Sequence, residues 1–408
     1  MFQPAILGLC VSFLADLLPV GSGARVDLAT GARAELNAGR IPVTSVQDSA
    51  PGTEQTLVLR AGVRLISQTS SLSLIYRPRY YLRLPDALEI GRPLLLHDIG
   101  LAWTAELNRR LSLSWRTRAS AGELPLSGLL LVFDPGTGKV NASVVPVFRV
   151  NSNLSMTAET GKRQTTNATL SVNHNDSFGS NSAFERSETL GLALTHSLTL
   201  SKRTSIGIST LGGYVWPETT PESATIGGLL FISQKIRAPS SIRLAAGLTQ
   251  AWVRGGASAW PLPTTDLTYT TSFSGKSQRY SLNVTAGTRA FLDVLVATYR
   301  PQAFVGVGLT GQILTAWTFG TNLLFSTDIS GPRLVPGGQP TQLNLEVPVG
   351  YRISDNLLVS SGLRVALSAP ALSEWTTSTS NQFQDQVSVF AALDWTIGSE
   401  KSRGVWLR

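Results

Sequence analysis

From residue 26 onward apolar side chains recur at every second position, in segments of about 10 to 13 residues, and this period constrains the fold more than any other feature. Leu57, Leu59, Ala61, Val63 and Leu65 alternate with Thr56, Val58, Arg60, Gly62 and Arg64. After a turn at Gln68-Thr69-Ser70, Leu72, Leu74, Tyr76, Tyr80 and Leu82 alternate with Ser73, Arg77, Arg79 and Arg83. Successive side chains of a strand point to opposite faces, so each segment has one apolar face and one polar, largely basic face. Ile99 to Leu107 and Leu111 to Trp115 repeat the unit around Asn108-Arg109-Arg110, as do the segments flanking Ser201-Lys202-Arg203 and Ser354-Asp355-Asn356. The unit is a hairpin.

The medium follows from the composition and from what is missing. Charged residues make up 15%, well under the usual quarter of a soluble chain, while the chain holds 37 Gly, 14 Phe, 9 Trp and 8 Tyr. After the N-terminus no run approaches the roughly 20 apolar residues of a membrane-spanning helix. A closed barrel is the other way to satisfy every backbone N–H and C=O in hydrocarbon. A sandwich is disfavoured, because its strands span about 5 to 6 residues and enclose the apolar face, not the polar one. The expected fold is all-β: a transmembrane antiparallel barrel of about 18 strands with short periplasmic turns, longer extracellular loops and both chain ends in the periplasm.

Segments 140–150 and 153–163 read as two strands, followed by one at 187–199. External loops are expected at 37–54, 122–139, 164–186, 328–340 and 368–385, all rich in Ser, Thr, Asn, Gly and Pro. This topology puts Phe273, Tyr280, Trp317, Tyr351 and Trp395 at the inner interface and Tyr80, Tyr214, Trp252 and Phe325 at the outer one. Residues 1–24 read as a secretory signal, with an apolar run from Ala5 to Val20 and small residues at Ser22-Gly23-Ala24. That leaves 25–408 as one barrel domain, and the only cysteine, Cys10, falls in the removed part.

The net charge of +8 does not point to nucleic acid, because the arginines stand singly within alternating segments and form no run. They belong to a pore wall. The residues expected to line it are Arg60, Arg64, Arg77, Arg79, Arg83, Arg116, Arg118, Arg149, Arg243, Arg289, Arg352 and Arg364, with Glu106, Glu159, Glu346 and Asp394 as the acids, and Asp98 also opposing them. Such a wall either favours anions or merely solvates itself by internal pairing. Gly306-Val307-Gly308-Leu309-Thr310-Gly311 matches the dinucleotide fingerprint in letters alone, since a strand and not a helix follows. His97, His174 and His196 are the only histidines, the second placed in a loop and the third facing lipid. No catalytic triad, metal-ligand cluster or phosphate loop is visible, so neither enzyme activity nor a cofactor is expected.

The phrases Leu59-Arg60-Ala61-Gly62-Val63-Arg64-Leu65 and Leu111-Ser112-Leu113-Ser114-Trp115-Arg116 resemble outer-membrane β-barrel proteins of myxobacteria and related groups, over nearly the whole mature chain. Among such barrels are porins associated with polysaccharide export. The resemblance implies a conduit in the cell outer membrane for a polymer, contacting outer-membrane lipid and lipopolysaccharide and working with a periplasmic polysaccharide export protein. A general or anion-preferring diffusion porin, a structural barrel and a lipid-modifying outer-membrane enzyme are the competing readings. The chain departs from the usual barrel ending, because Ile397 is followed by a tail to Arg408; an assembly signal is then internal, around Phe390 to Trp395, or absent.

Overall fold

The computed structural model describes residues 25–42, 49–84, 93–125, 144–177, 186–254, 261–275, 277–293, 298–314, 316–329, 341–369 and 384–398. They form 19 segments: β1 (Arg25–Pro42), β2 (Ser49–Ile66), β3 (Ser70–Tyr76), β4 (Arg79–Leu84), β5 (Leu94–Asn108), β6 (Leu111–Pro125), β7 (Val144–Gly161), β8 (Gln164–Asp176), β9 (Ser187–Thr199), β10 (Thr204–Pro217), β11 (Ser223–Arg237), β12 (Ser240–Val253), β13 (Leu262–Ser274), β14 (Gln278–Asp293), β15 (Thr298–Ile313), β16 (Trp317–Asp328), β17 (Thr341–Ser354), β18 (Leu357–Ala369) and β19 (Gln384–Gly398). β3 and β4 both lie between β2 and β5, so they are two halves of one strand. Pro78 separates them, having no N–H to give to the ladder.

Every strand pairs antiparallel with its neighbours, and β1 pairs with β19 from Ala29↔Gly398 to Gly39↔Ser388. The molecule is therefore a closed, 18-stranded antiparallel barrel without an edge. Connections at one rim, where the chain also enters and leaves the barrel, run to two to four residues; those at the other run from 4 to 18.

The register assigns the faces. Leu190, Leu192 and Leu194 of β9 share a face with Ile206 and Ile208 of β10 and with Leu230 and Ile232 of β11. Leu230 is 68% exposed and Leu192 57%, which is tolerable only where the surroundings are hydrocarbon. This face is the exterior. Near the short-turn rim it carries aromatic pairs, with Trp317 4.8 Å from Tyr351 and Phe273 6.1 Å from Tyr280. Tyr280 also meets Phe319, whose ring lies over Gly311, where a side chain would collide with it. On the exterior of β2, β3 and β5, Val63, Leu65 and Leu72 are buried against Leu74, Leu101 and Trp103.

Four sequence expectations need correction. β7 runs unbroken over Val144–Gly161, so 140–150 and 153–163 are not two strands. β8 occupies Gln164–Asp176 within the expected loop 164–186, and the strand total is unchanged because one error offsets the other. His174 accordingly lies in a strand, not in a loop. Loop 37–54 shrinks to 43–48, because β1 and β2 pair all the way to Pro42↔Ser49. Residues 1–24 and the tail beyond Gly398 lie outside the described residues.

Candidate functional site

The face opposite the exposed apolar side chains is the enclosed wall, and its charges gather in two groups. The first spans the closure seam. Arg33 of β1 lies opposite Asp394 of β19, and that carboxylate takes Arg60 at 3.4 Å and Arg33 at 3.8 Å. Arg33 also holds Glu35 at 2.7 Å. Arg364 of β18 bonds Glu35, reaches Glu346 at 3.1 Å and Asn37 at 3.0 Å, and stacks 4.2 Å above the ring of Phe390. Arg33, Arg60 and Arg364 thus face Glu35, Glu346 and Asp394, and the group is neutral.

The second group is not neutral. Asp98 of β5 is fully buried, at 0% exposure, and takes Arg118 through Nη2 at 2.6 Å and Nε at 2.8 Å. Arg79 approaches the same carboxylate at 3.3 Å and Arg77 at 3.4 Å, and the Ser120 hydroxyl at 3.4 Å. Arg77 and Arg79 reach it together because they flank Pro78 on alternate positions of one strand. Three guanidinium groups thus share one carboxylate. Arg149 of β7 lies opposite Ser120 beside them. Arg116 and Arg64 are on the same face, and neither has an ion-pair partner among the described residues.

Around this group the wall changes character. Toward the short-turn rim and onto β8 it is lined by amides and hydroxyls: Asn151 bonds Asn173 and Asn153 at 2.6 Å, and Ser155 bonds Thr169 at 3.2 Å. Toward the long-loop rim of β5, β6 and β7 it becomes apolar. Leu96, Leu124, Val145 and Val147 all lie on the enclosed face and are 0 to 1% exposed. The sequence reading expected a polar wall throughout and missed this belt, whose leucines and valines sit in register with Asp98, Ser120 and Arg149. Arg33 and Glu35 were also missed, although they alternate with Ala32, Ala34 and Leu36 at the expected period.

The remaining wall residues are dispersed. Arg243 stacks 4.5 Å over Phe231, and Arg289 donates to Gln302 Oε1 at 2.9 Å while lying 4.6 Å over Phe304. Arg352 is opposite Leu358, and Glu106 and Glu159 are exposed near the short-turn rim. Arg83 pairs through its backbone with Glu54, and its side chain lies outside the described residues. Gly306 and Gly308 stand on the enclosed side of β15, opposite Thr285 and Asn283, within a strand.

The histidines lie on the exterior: His97 Nδ1 is 2.7 Å from the Tyr76 hydroxyl, His196 Nδ1 is 2.9 Å from the Thr166 hydroxyl, and His174 is 3.6 Å from Glu188. Asp98, next to His97, points the other way. Among the described residues no group of three or more His, Cys, Asp or Glu could hold a metal ion.

No family model and no curated protein matches the chain. Its fold is similar to solved outer-membrane structures. The FrpB iron transporter of Neisseria meningitidis, F5-1 variant, superposes with a TM-score of 0.50 at 11% identity, covering 90% of this chain and 67% of that one. A BenF-like porin from Pseudomonas fluorescens (TM-score 0.45, 12% identity, 93% and 99% covered) and OccAB3 of Acinetobacter baumannii (0.44, 10%, 93% and 100%) are similar over their whole length. At such identities the likeness bears on the fold alone. The fold is that of an outer-membrane β-barrel, and the outer membrane is where this chain resides.

Proposed function

We propose that the barrel is a porin-like conduit with its short turns in the periplasm, that the enclosed arginines line its lumen, and that it passes anionic solutes, with an acidic polysaccharide as the cargo class. The observation that carries this reading is the sharing of the single buried carboxylate of Asp98 by Arg77, Arg79 and Arg118. The surplus is two positive charges on one patch of wall, with Arg116 and Arg149 beside it. A patch of one sign, set in low-dielectric walls, concentrates oppositely charged solute. The amide and hydroxyl face of β7 and β8 beside it supplies donors and acceptors of the kind that sugar hydroxyls need. An 18-stranded barrel is wide enough for an aqueous lumen.

The apolar belt of Leu96, Leu124, Val145 and Val147 on β5, β6 and β7 favours a second reading, a barrel closed at rest. A release assay separates the two. Proteoliposomes carrying the barrel and loaded with short oligogalacturonates should lose them faster than neutral dextran fragments of equal size. Equal retention of both would favour the closed barrel, and equal loss of both a non-selective pore.

A further inference from the structure

The basic side chains of the short turns are gathered on one side; beyond them, Arg279 and Arg352 are exposed near the strand ends at the same rim. The turns after β5, β7 and β9 carry Arg109-Arg110, Lys162-Arg163 and Lys202-Arg203, and Arg237 ends β11 at the turn that follows it. All seven are exposed and none forms an ion pair among the described residues. Three other turns hold Ser67-Gln68-Thr69, Leu314-Thr315-Ala316 and Asp355-Asn356, with no cation. Arg25, at the chain's entry to the barrel, is taken up by Asp27 at 2.7 Å. The acids nearest the arc in sequence are Glu106 and Glu159.

The arc is also held in place. The carbonyl of Arg110 accepts the N–H of Glu159 at 2.7 Å, that of Arg163 the N–H of Thr199 at 2.8 Å, and that of Arg203 the N–H of Lys235 at 2.7 Å. Each basic turn is thereby pinned to the strand end of the next hairpin. Neighbouring strands are about 4.8 Å apart and the turns two strands apart, so with strand tilt the four turns span roughly 30–40 Å. That matches the width of the roughly 800 Å² face that one protein gives to a partner. Lipid headgroups surround a barrel and would be served by cations all the way round. A one-sided arc suits a single body seated on one side of the mouth.

We infer that this arc is a docking surface for a periplasmic protein with an acidic face, an inference that rests on the orientation proposed above. Its charges steer the encounter and fix the partner's angular position beside the lumen.

The test is photo-crosslinking in the cells that make the protein. A photo-reactive residue at Asn108 or Ser201, within the arc, should give a protein adduct, and one at Asn356, across the rim, should not. Arg163→Glu with Arg203→Glu should abolish the adduct and the Gln pair should weaken it, with heat-modifiable migration on gels showing that both variants are folded barrels. Exchanging acids for Lys on the captured protein's contact face should restore the adduct to the Glu variant. Adducts from Asn356 as strong as from Ser201, indifference to charge reversal, failure of the exchange to restore binding, or adducts with lipid or polysaccharide alone would overturn the inference. Ser201→Cys reports on the orientation separately. Labelling of it by an impermeant maleimide only after permeabilisation supports a periplasmic partner; labelling on intact cells would sink the orientation and the periplasmic partner with it, whatever the adducts show.

Discussion

Asp98 is the residue at which one atom changes most. Its carboxylate is fully buried and neutralises part of three guanidinium charges, so Asp98→Asn leaves Arg77, Arg79 and Arg118 facing one another. Breaking a buried pair on one side costs about 3–5 kcal/mol; the three arginine side chains are partly exposed, at 21%, 22% and 46%, so roughly 3 kcal/mol is expected, measured by urea unfolding in detergent. The same variant should raise anion preference, because it adds a positive charge to the wall. On the other face, Leu59→Arg should cost about 2–4 kcal/mol as a charge facing the bilayer midplane, whereas Thr195→Arg on the enclosed face should be mild. Equal damage from both would contradict the face assignment. These faces were legible residue by residue, since period two alone separates Leu59 from Arg60 and Asp98 from His97. Phe390 was not. It was grouped with Trp395 as a possible assembly signal, but it points inward beneath Arg364 at 1% exposure, while Trp395 points out. An aromatic in an alternating strand can serve either face.

At the scale of the element, the sequence misled where polar residues line the lumen. Asn151-Ser152 has the composition of a turn, and the expected break between 140–150 and 153–163 falls on it, yet in β7 Asn151 and Asn153 face the enclosed side and bond each other, and Asn151 also bonds Asn173. Gln164–Asp176 was read as loop for the same reason, and it is a strand whose Thr169, Ser171 and Asn173 face inward while Leu170 and Val172 face out. Turn residues and lumen-facing residues share a chemistry, so composition cannot distinguish them; the true turn, Lys162-Arg163, is marked only by its position in the pairing. Pro78 gives an element-scale prediction. Its missing N–H interrupts the ladder between β2 and the β3–β4 strand, where Leu59 N–H still donates to the Pro78 carbonyl at 3.0 Å. Pro78→Ala supplies that N–H. One added bond should stabilise by about 1 kcal/mol and bring new amide-exchange protection at position 78. A loss of stability would mean that the break is needed to bring Arg77 and Arg79 onto Asp98.

For the whole molecule, the barrel class and the alternation of short and long connections were legible, because both follow from hairpin periodicity, whereas the strand total agrees only because the division of β7 offsets the omission of β8. The long-loop ends were not: β1 and β2 continue past the expected loop boundary on residues such as Gly39, Arg40 and Pro42, which have no apolar alternation to read. The orientation predicts that an epitope inserted at Gly136, between β6 and β7, is reached by antibody on intact cells, and that one inserted at Ser201 is not. The reverse pattern would invert the barrel. Whether the lumen is open and its field set by the arginines around Asp98 is decided by reversal potentials of the purified protein in a planar bilayer under a salt gradient. An open, arginine-lined lumen should conduct with chloride preferred over potassium, a preference that weakens with added salt as screening shortens to about 10 Å at 0.1 M and that falls when Arg77, Arg79, Arg116 and Arg118 are replaced by Gln. Insertion without conductance, or conductance that prefers potassium, would contradict it.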